Sequence, residues 1–170
     1  MPEQGYPMSD LLIFVFRSAD DARSAGAALA ALQDAAEVEA EDITVITRGS
    51  EGDVILDHST RATTGQALGG GRWGTVIGLL FLDSALGQPA ALRNAGLDPE
   101  FTRAVEAALD GGRAALGLRV RKLGVDRAVA AMVGRPGHIK TIRTRLSLEA
   151  EAALGAVKGG LPENVLAPKT

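Results

Sequence analysis

The sequence predicts an α+β fold, a ferredoxin-like sandwich of two β-α-β units with an extra strand and an inserted glycine-rich helical segment. The first observation is that Leu11–Thr47 and Ala114–Leu146 each show a strand, helix, strand pattern. The second is that 170 residues, 46% hydrophobic and 23% charged, are typical of one globular domain. We therefore predict a single domain over residues 8–158, with the insertion at 64–96 and a flexible tail at 159–170.

The first unit begins with a continuous apolar run, Leu11–Phe16, whose length suits a strand buried on both faces. Ser18 lies three residues before Asp21, which predicts a helix cap, and the alanine-rich Ala19–Ala36 predicts the helix itself. The β-branched stretch Ile43–Thr47 predicts the second strand. Since helices on one face would leave the other face of the first strand apolar, that face also requires a cover, from the insertion or from a second subunit.

The extra strand follows directly, because turn residues at Arg48–Asp53 separate the second strand from Val54–His58. Acidic residues at Glu37–Asp42 predict a solvated turn before this hairpin.

The second half predicts a helix that begins at Asp98 and Pro99, an alternating strand with one buried side, a short helix, a basic strand and a closing helix capped by Ser147. The predicted ranges are Phe101–Leu109, Ala114–Arg121, Val125–Val133, Ile139–Leu146 and Leu148–Val157.

The insertion contains glycines at every fourth position, Gly70, Gly74 and Gly78. On a helix this spacing leaves one face without side chains, so another backbone can approach it closely. We predict that this glycine row makes a close contact between subunits, which gives a homo-oligomer. The alternative is that the row packs on the protein's own sheet.

A second use of the insertion is contact with a membrane or a partner through Trp73, Ile77, Leu80 and Phe81. A spanning helix needs about 20 mostly apolar residues, and the apolar run Trp73–Leu82 is half that long. The N-terminus has no secretory signal and the chain has no cysteine, which together favour the cytoplasm, with membrane association as the alternative.

Catalytic and cofactor motifs are weak throughout. The run Gly69-Gly70-Gly71 lacks both the Lys of a phosphate-binding loop and the spaced third glycine of a dinucleotide site. His58 beside Asp57 has no third ligand at a suitable spacing, and the only other histidine is His138. We therefore predict no catalytic residues, no metal, no cofactor and no enzymatic activity.

Charge is distributed unevenly along the chain. Residues 1–60 carry twelve acids against three Lys/Arg, whereas residues 111–146 carry nine Lys/Arg against one acid. The basic residues suggest a patch across two neighbouring strands, formed by Arg119, Arg121, Lys122, Lys140, Arg143 and Arg145. Because these strands carry no aromatic residues, nucleic-acid binding is disfavoured. Pairing with the acidic Glu37–Asp42 region of another subunit is the favoured interpretation.

Several segments together resemble a bacterial family, the domain-of-unknown-function family twelve-sixty-nine, often described as predicted membrane or stress-associated proteins. The segments are MSDLLIFVF, ITVITR with VILDHST, GGGRWGTVIGLLFLDSALG, GLDPEFTRAVEAAL, GLRVRK and IRTRLSLEAEAAL. The resemblance implies an α/β domain interrupted by a glycine-rich helical hairpin, and it implies no activity.

Three hypotheses about function follow. The first is a non-enzymatic, homo-oligomeric structural or stress-linked protein that assembles through the glycine row. The second is a peripheral membrane protein anchored by Trp73–Leu82. The third is a small-ligand-binding regulatory domain, since paired β-α-β units can form effector sites.

Overall fold

The computed structural model describes residues 9–35, 40–48, 54–58, 77, 80, 81, 97–121 and 124–159. These residues form an α+β fold with five strands and four α-helices. In chain order the elements are β1 (Ser9–Phe16), α1 (Ala19–Asp34), β2 (Ala40–Arg48), β3 (Val54–His58), α2 (Pro99–Ala107), β4 (Ala114–Arg121), α3 (Val125–Val133), β5 (His138–Arg145) and α4 (Leu148–Gly159). A short 3₁₀ turn, Asp110–Gly112, precedes β4.

The five strands form one sheet in the order β3-β2-β4-β1-β5, and every neighbouring pair is antiparallel. The predicted hairpin of β2 and β3 is confirmed by the pairing of Arg48 with Val54. The first strands of the two predicted units, β1 and β4, lie side by side inside the sheet.

Polar caps start the helices where the sequence predicts them. The Asp21 amide donates to Ser18 Oγ at 3.2 Å, and the Ala150 amide donates to Ser147 Oγ at 3.0 Å. The Glu100 amide donates to the Asp98 carboxylate at 3.0 Å, ahead of the proline that opens α2. Each cap satisfies an amide that has no partner within its own helix.

One face of the sheet packs against α1 and α3. Alternate side chains of β1 lie on this face, among them Phe14 and Phe16, and all are fully buried. The small residues of the two helices let their backbones approach the sheet closely. The helical side chains buried in this layer are Ala22, Ala25, Leu29, Val125, Ala128 and Met132.

The opposite face is also covered within the chain. Leu11, Ile13 and Val15 of β1 pack there against α2, α4 and three side chains of the predicted insertion. The apolar run of β1 is therefore buried on both sides, as predicted. We expected the insertion or a second subunit as the cover, and α2 and α4 contribute to it as well.

Two sequence predictions need correction here. β4 was predicted to have one buried side, but Ala115 and Gly117 on its other face are buried too, because both faces of this interior strand are covered. β2 begins at Ala40, so part of the acidic stretch predicted as a turn belongs to the strand.

A glycine of β4 lies against a side chain that covers the sheet. A Cβ atom added to Gly117 would lie 2.8 Å from Ile77 Cγ2 and 3.2 Å from Ile46 Cδ1. Ile77 therefore occupies space that is open only because residue 117 has no side chain.

Candidate anion-binding cleft

The predicted glycine row lies outside the described residues. The structure does not describe any of its three glycines, Gly70, Gly74 and Gly78, nor Trp73 beside them. Assembly through the row therefore stays a prediction.

The structure places Ile77, Leu80 and Phe81 in the core, with at most 2% of each residue exposed. They pack against the same cluster as β1 and α2. Side chains buried in this way offer no surface to a bilayer or a partner in this conformation. Of the four residues predicted to make such contacts, Trp73 alone lies outside the description.

The predicted basic patch across two neighbouring strands is corrected by the strand order. β1 lies between β4 and β5, so the two strands that carry these basic residues are not neighbours. Arg119, on the face covered by α4, donates from Nε to Glu151 Oε2 at 3.0 Å, and its Nη2 also contacts this oxygen. The side chains of this pair are only 11% and 17% exposed, so the pair ties α4 to the sheet.

Two other members of the predicted patch bind Asp10, whose side chain is 2% exposed. Arg143 Nη2 lies 3.2 Å from one carboxylate oxygen of Asp10, and Arg145 Nε lies 3.3 Å from the other. An acid of the first half of the chain is therefore paired with two arginines of the second half within the same chain.

His138, at the start of β5, packs against aromatic rings of β1. Its ring centroid lies 5.7 Å from that of Phe16, edge-on, and 6.4 Å from that of Phe14. His138 Nε2 lies 3.0 Å from Thr141 Oγ1. Burial against these rings lowers the pKa of His138 below its ordinary value of 6.5, because the charged form loses hydration.

This lowered pKa predicts an acid-sensitive contribution to stability. The unfolded chain takes up a proton at His138 near pH 6.5, but the folded chain does so only at lower pH, so folding loses free energy as pH falls below 6.5. We expect urea unfolding at pH 7.5 and 5.5 to show a smaller loss of stability in His138→Gln than in the wild type. Equal losses in both proteins would contradict this expectation.

A cleft of about 570 Å³ opens where α1 begins, β2 ends and β4 begins. Its volume lies in the range of small-molecule sites. Its lining comes from α1, from the ends of β2 and β4 and from the segment around the 3₁₀ turn. The lining residues are Ala19, Arg23, Thr47, Arg48, Leu109, Asp110, Gly111, Gly112, Arg113 and Ala114.

Three arginines from separate elements line this cleft. Arg23 lies on α1, Arg48 at the end of β2 and Arg113 directly before β4. Among the described residues that line the cleft, Asp110 is the one acid beside these three arginines. Arg23 also binds Asp20 on the surface, with Nη1 3.3 Å from Oδ1.

Two glycines of the 3₁₀ turn line one side of the cleft. Gly111 and Gly112 have φ angles of 79° and 83°, a left-handed conformation that glycine adopts without steric cost. No heavy atom lies within 4 Å of the Cβ position at either residue. Both glycines are exposed at the edge of the cleft.

Sequence reasoning missed this site. It ends a helix at Leu109, places Arg48 among turn residues and assigns no ligand to Arg23, Arg48 or Arg113. These arginines are spread over 90 residues of sequence, and only the sheet brings them to one place.

The family described as protein of unknown function DUF1269 matches residues 67–158, more than half of the chain. The chain belongs to the DUF1269 family. The match starts in the predicted insertion and ends in α4, so it includes Arg113 and the glycine turn but neither Arg23 nor Arg48. Comparison of this DUF1269 member with curated proteins and with solved structures gives no match.

Within the described residues, no helix has both the length and the apolar character needed to cross a bilayer. The same residues contain no group of three or more His, Asp or Glu side chains suited to holding a metal ion. The side chains of Asp57 and His58, considered above as a metal or acid–base pair, lie outside the description.

Proposed function

We propose that this DUF1269 protein is a non-enzymatic ligand-binding domain that holds a small anion in the arginine cleft. The observation that carries this proposal is the presence of Arg23, Arg48 and Arg113, from three elements, around one cavity of ligand size. Arginine matches carboxylate and phosphate groups with paired N–H donors, which makes such a cluster suited to anions.

The remaining lining residues support binding rather than catalysis. Among the described residues around the cleft, only Thr47 and Asp110 carry polar side chains besides the arginines. No histidine is among the described lining residues, so these residues supply no imidazole to activate Thr47 as a nucleophile.

We also propose that the domain has a ferredoxin-like arrangement. The order β2-β4-β1-β5, with all pairs antiparallel and with α1 and α3 on one face, supports it. β3 then extends the sheet at the edge of β2.

Replacing Arg113 is expected to weaken anion binding. A hydrogen bond to a charged group contributes about 1.5–3 kcal/mol, so Arg113→Gln should raise the dissociation constant for pyrophosphate by about tenfold or more. Isothermal titration calorimetry measures this change. Arg103→Gln is the matched control, because Arg103 is exposed on α2 and does not line the cleft.

The control variant should bind pyrophosphate as the wild type does. Binding should also weaken as salt concentration rises, because the attraction is electrostatic. Equal affinities of Arg113→Gln and the wild type, or the absence of binding by any small anion, would overturn the proposed function.

Assembly through the glycine row is a separate proposal with its own test. Light scattering on a sizing column should give a discrete multiple of 17.5 kDa for the wild type. Gly74→Leu should reduce the mass or abolish folding, because a bulky side chain excludes the partner backbone. Unchanged mass and melting temperature in Gly74→Leu would show that the row makes no such contact.

A further inference from the structure

We infer that the outer edge of β5 accepts an extended acidic segment of another protein as an added strand. This inference is independent of the arginine cleft. β5 closes one end of the sheet order, and within the described residues its only strand partner is β1. The backbone N–H and C=O groups on its other side can therefore pair with a strand from outside the chain. Such addition to a sheet edge is a common way for proteins to recognise peptides.

The side chains of β5 carry positive charge on both faces of this edge. Lys140, Arg143 and Arg145 are all exposed. Arg143 lies opposite Leu12, which is buried on the face covered by α1 and α3, so Arg143 and Arg145 project from that face. Lys140 lies opposite Val15 and therefore projects from the other face. An acidic strand beside β5 would find a cation on either side of its backbone.

The two arginines of this edge share a single acid. Asp10 binds both of them, with one carboxylate oxygen each, so this group of three side chains keeps one positive charge in excess. The arginine side chains are still 43% and 57% exposed, although the carboxylate that holds them is buried. Lys140 makes no ion pair with any described residue. The edge strand therefore presents positive charge, and on one face Asp10 fixes its position.

These cations disfavour a second copy of β5 as the added strand. In a symmetric antiparallel pair, Lys140 would lie opposite Arg143 of the partner subunit. Like charges directly opposite each other destabilise a sheet, whereas opposite charges stabilise it. Lys and Arg therefore protect this edge from self-association and leave it suited to an acidic strand.

The positions of the cations predict the sequence pattern of the partner. In an antiparallel pair, residues that lie directly opposite each other interact through their side chains. A strand with an acid opposite Arg145 would meet Arg143 two residues later and Lys140 three residues after that. We therefore expect Asp or Glu at positions i, i+2 and i+5 of the partner segment.

Fluorescence anisotropy with synthetic peptides tests this inference. The test peptide has eight residues, like β5, with Glu at positions 1, 3 and 6 and Thr or Val elsewhere. We expect it to bind at least tenfold tighter than a peptide with Gln at these three positions. Two further control peptides keep the net charge. One groups the three Glu residues side by side, and the other has proline at positions 4 and 5, so that a backbone donor facing β5 is lost. Both should bind at least threefold more weakly than the test peptide.

A charge exchange isolates the contribution of Lys140. Lys140→Glu should weaken binding of the test peptide at least fivefold, because an attraction becomes a repulsion. A peptide with Lys at position 6 should then bind the Lys140→Glu protein more tightly than it binds the wild type. Arg103→Gln is the control variant, because Arg103 is exposed on α2. It should bind both peptides as the wild type does.

Several results would overturn this inference. Equal binding of the test peptide and of either control peptide with the same net charge would show charge attraction without an added strand. Binding of a single-stranded oligonucleotide at least tenfold tighter than the test peptide would indicate a nucleic acid as the partner. A dimer that Lys140→Glu disrupts would indicate a second copy. Absence of binding by the test peptide would also overturn the inference. None of these results bears on the arginine cleft, which the pyrophosphate titration tests separately.

Discussion

Gly117→Val is expected to destabilise the protein by about 3 kcal/mol or more. The added side chain would enter space already filled by Ile77, whose Cγ2 lies 2.8 Å from the Cβ position. Ile46 Cδ1 lies 3.2 Å from the same Cβ position. Neither isoleucine can move without disturbing the packing on the face of the sheet opposite α1 and α3. Overpacking a dense core costs about 1–3 kcal/mol and occasionally more, and a β-branched side chain here meets contacts on two sides.

The contact with Ile77 can be isolated by a double-mutant cycle. Gly117→Ala should destabilise the wild type more than it destabilises an Ile77→Ala background, where Cγ2 is absent. Gly134→Ala is the matched control, because no heavy atom lies within 4 Å of the Cβ position there. Urea unfolding measures all these variants. A Gly117→Val protein with the midpoint of the wild type would show that Ile77 does not occupy this position.

Glu151→Ala is expected to cost about 3 kcal/mol of unfolding free energy. Arg119 and Glu151 are both largely buried, and removing the carboxylate takes from Arg119 a charged partner that compensates for its lost hydration. Breaking a buried ion pair from one side costs about 3–5 kcal/mol, and the small remaining exposure of this pair places the expected cost at the lower end. The loss should also weaken the packing of α4 on the sheet, because the ion pair joins Glu151 of α4 to Arg119 of β4.

Glu149→Ala is the control for this prediction. It removes the same charge from the same first turn of α4, but the Glu149 side chain is exposed. The double variant Arg119→Met, Glu151→Leu should recover much of the stability, because apolar side chains can replace a buried ion pair. Equal unfolding free energies for Glu151→Ala and Glu149→Ala would contradict a structural role for the Arg119 pair.

The sequence predicts much of this fold because its local signals are strong. The run Leu11–Phe16 predicts a strand buried on both faces, and polar caps such as Ser18 and Ser147 fix the starts of helices within a residue or two. Local patterns carry this information because each depends on neighbouring residues alone.

The arrangement of the sheet and the cleft depend on contacts between distant segments. Insertion of β1 between β4 and β5 separates the arginines that the sequence suggests as one patch, and it brings Asp10 to two of them. The alternation in β4 predicts one polar face, but that face is covered by α2, α4 and Ile77. The cleft combines residues from 19 to 114, so no single stretch of sequence could reveal it.

The central claim is that small anions bind between α1, β2 and the glycine turn. The most direct measurement is a titration of isotopically labelled protein with pyrophosphate, followed by amide chemical shifts in NMR spectra. We expect the largest changes at the amides of Arg48, Gly111, Gly112 and Arg113, with saturation at one set of positions. Shifts that centre instead on the Asp10 and Arg143 end of the sheet, or the absence of any shift, would contradict the claim.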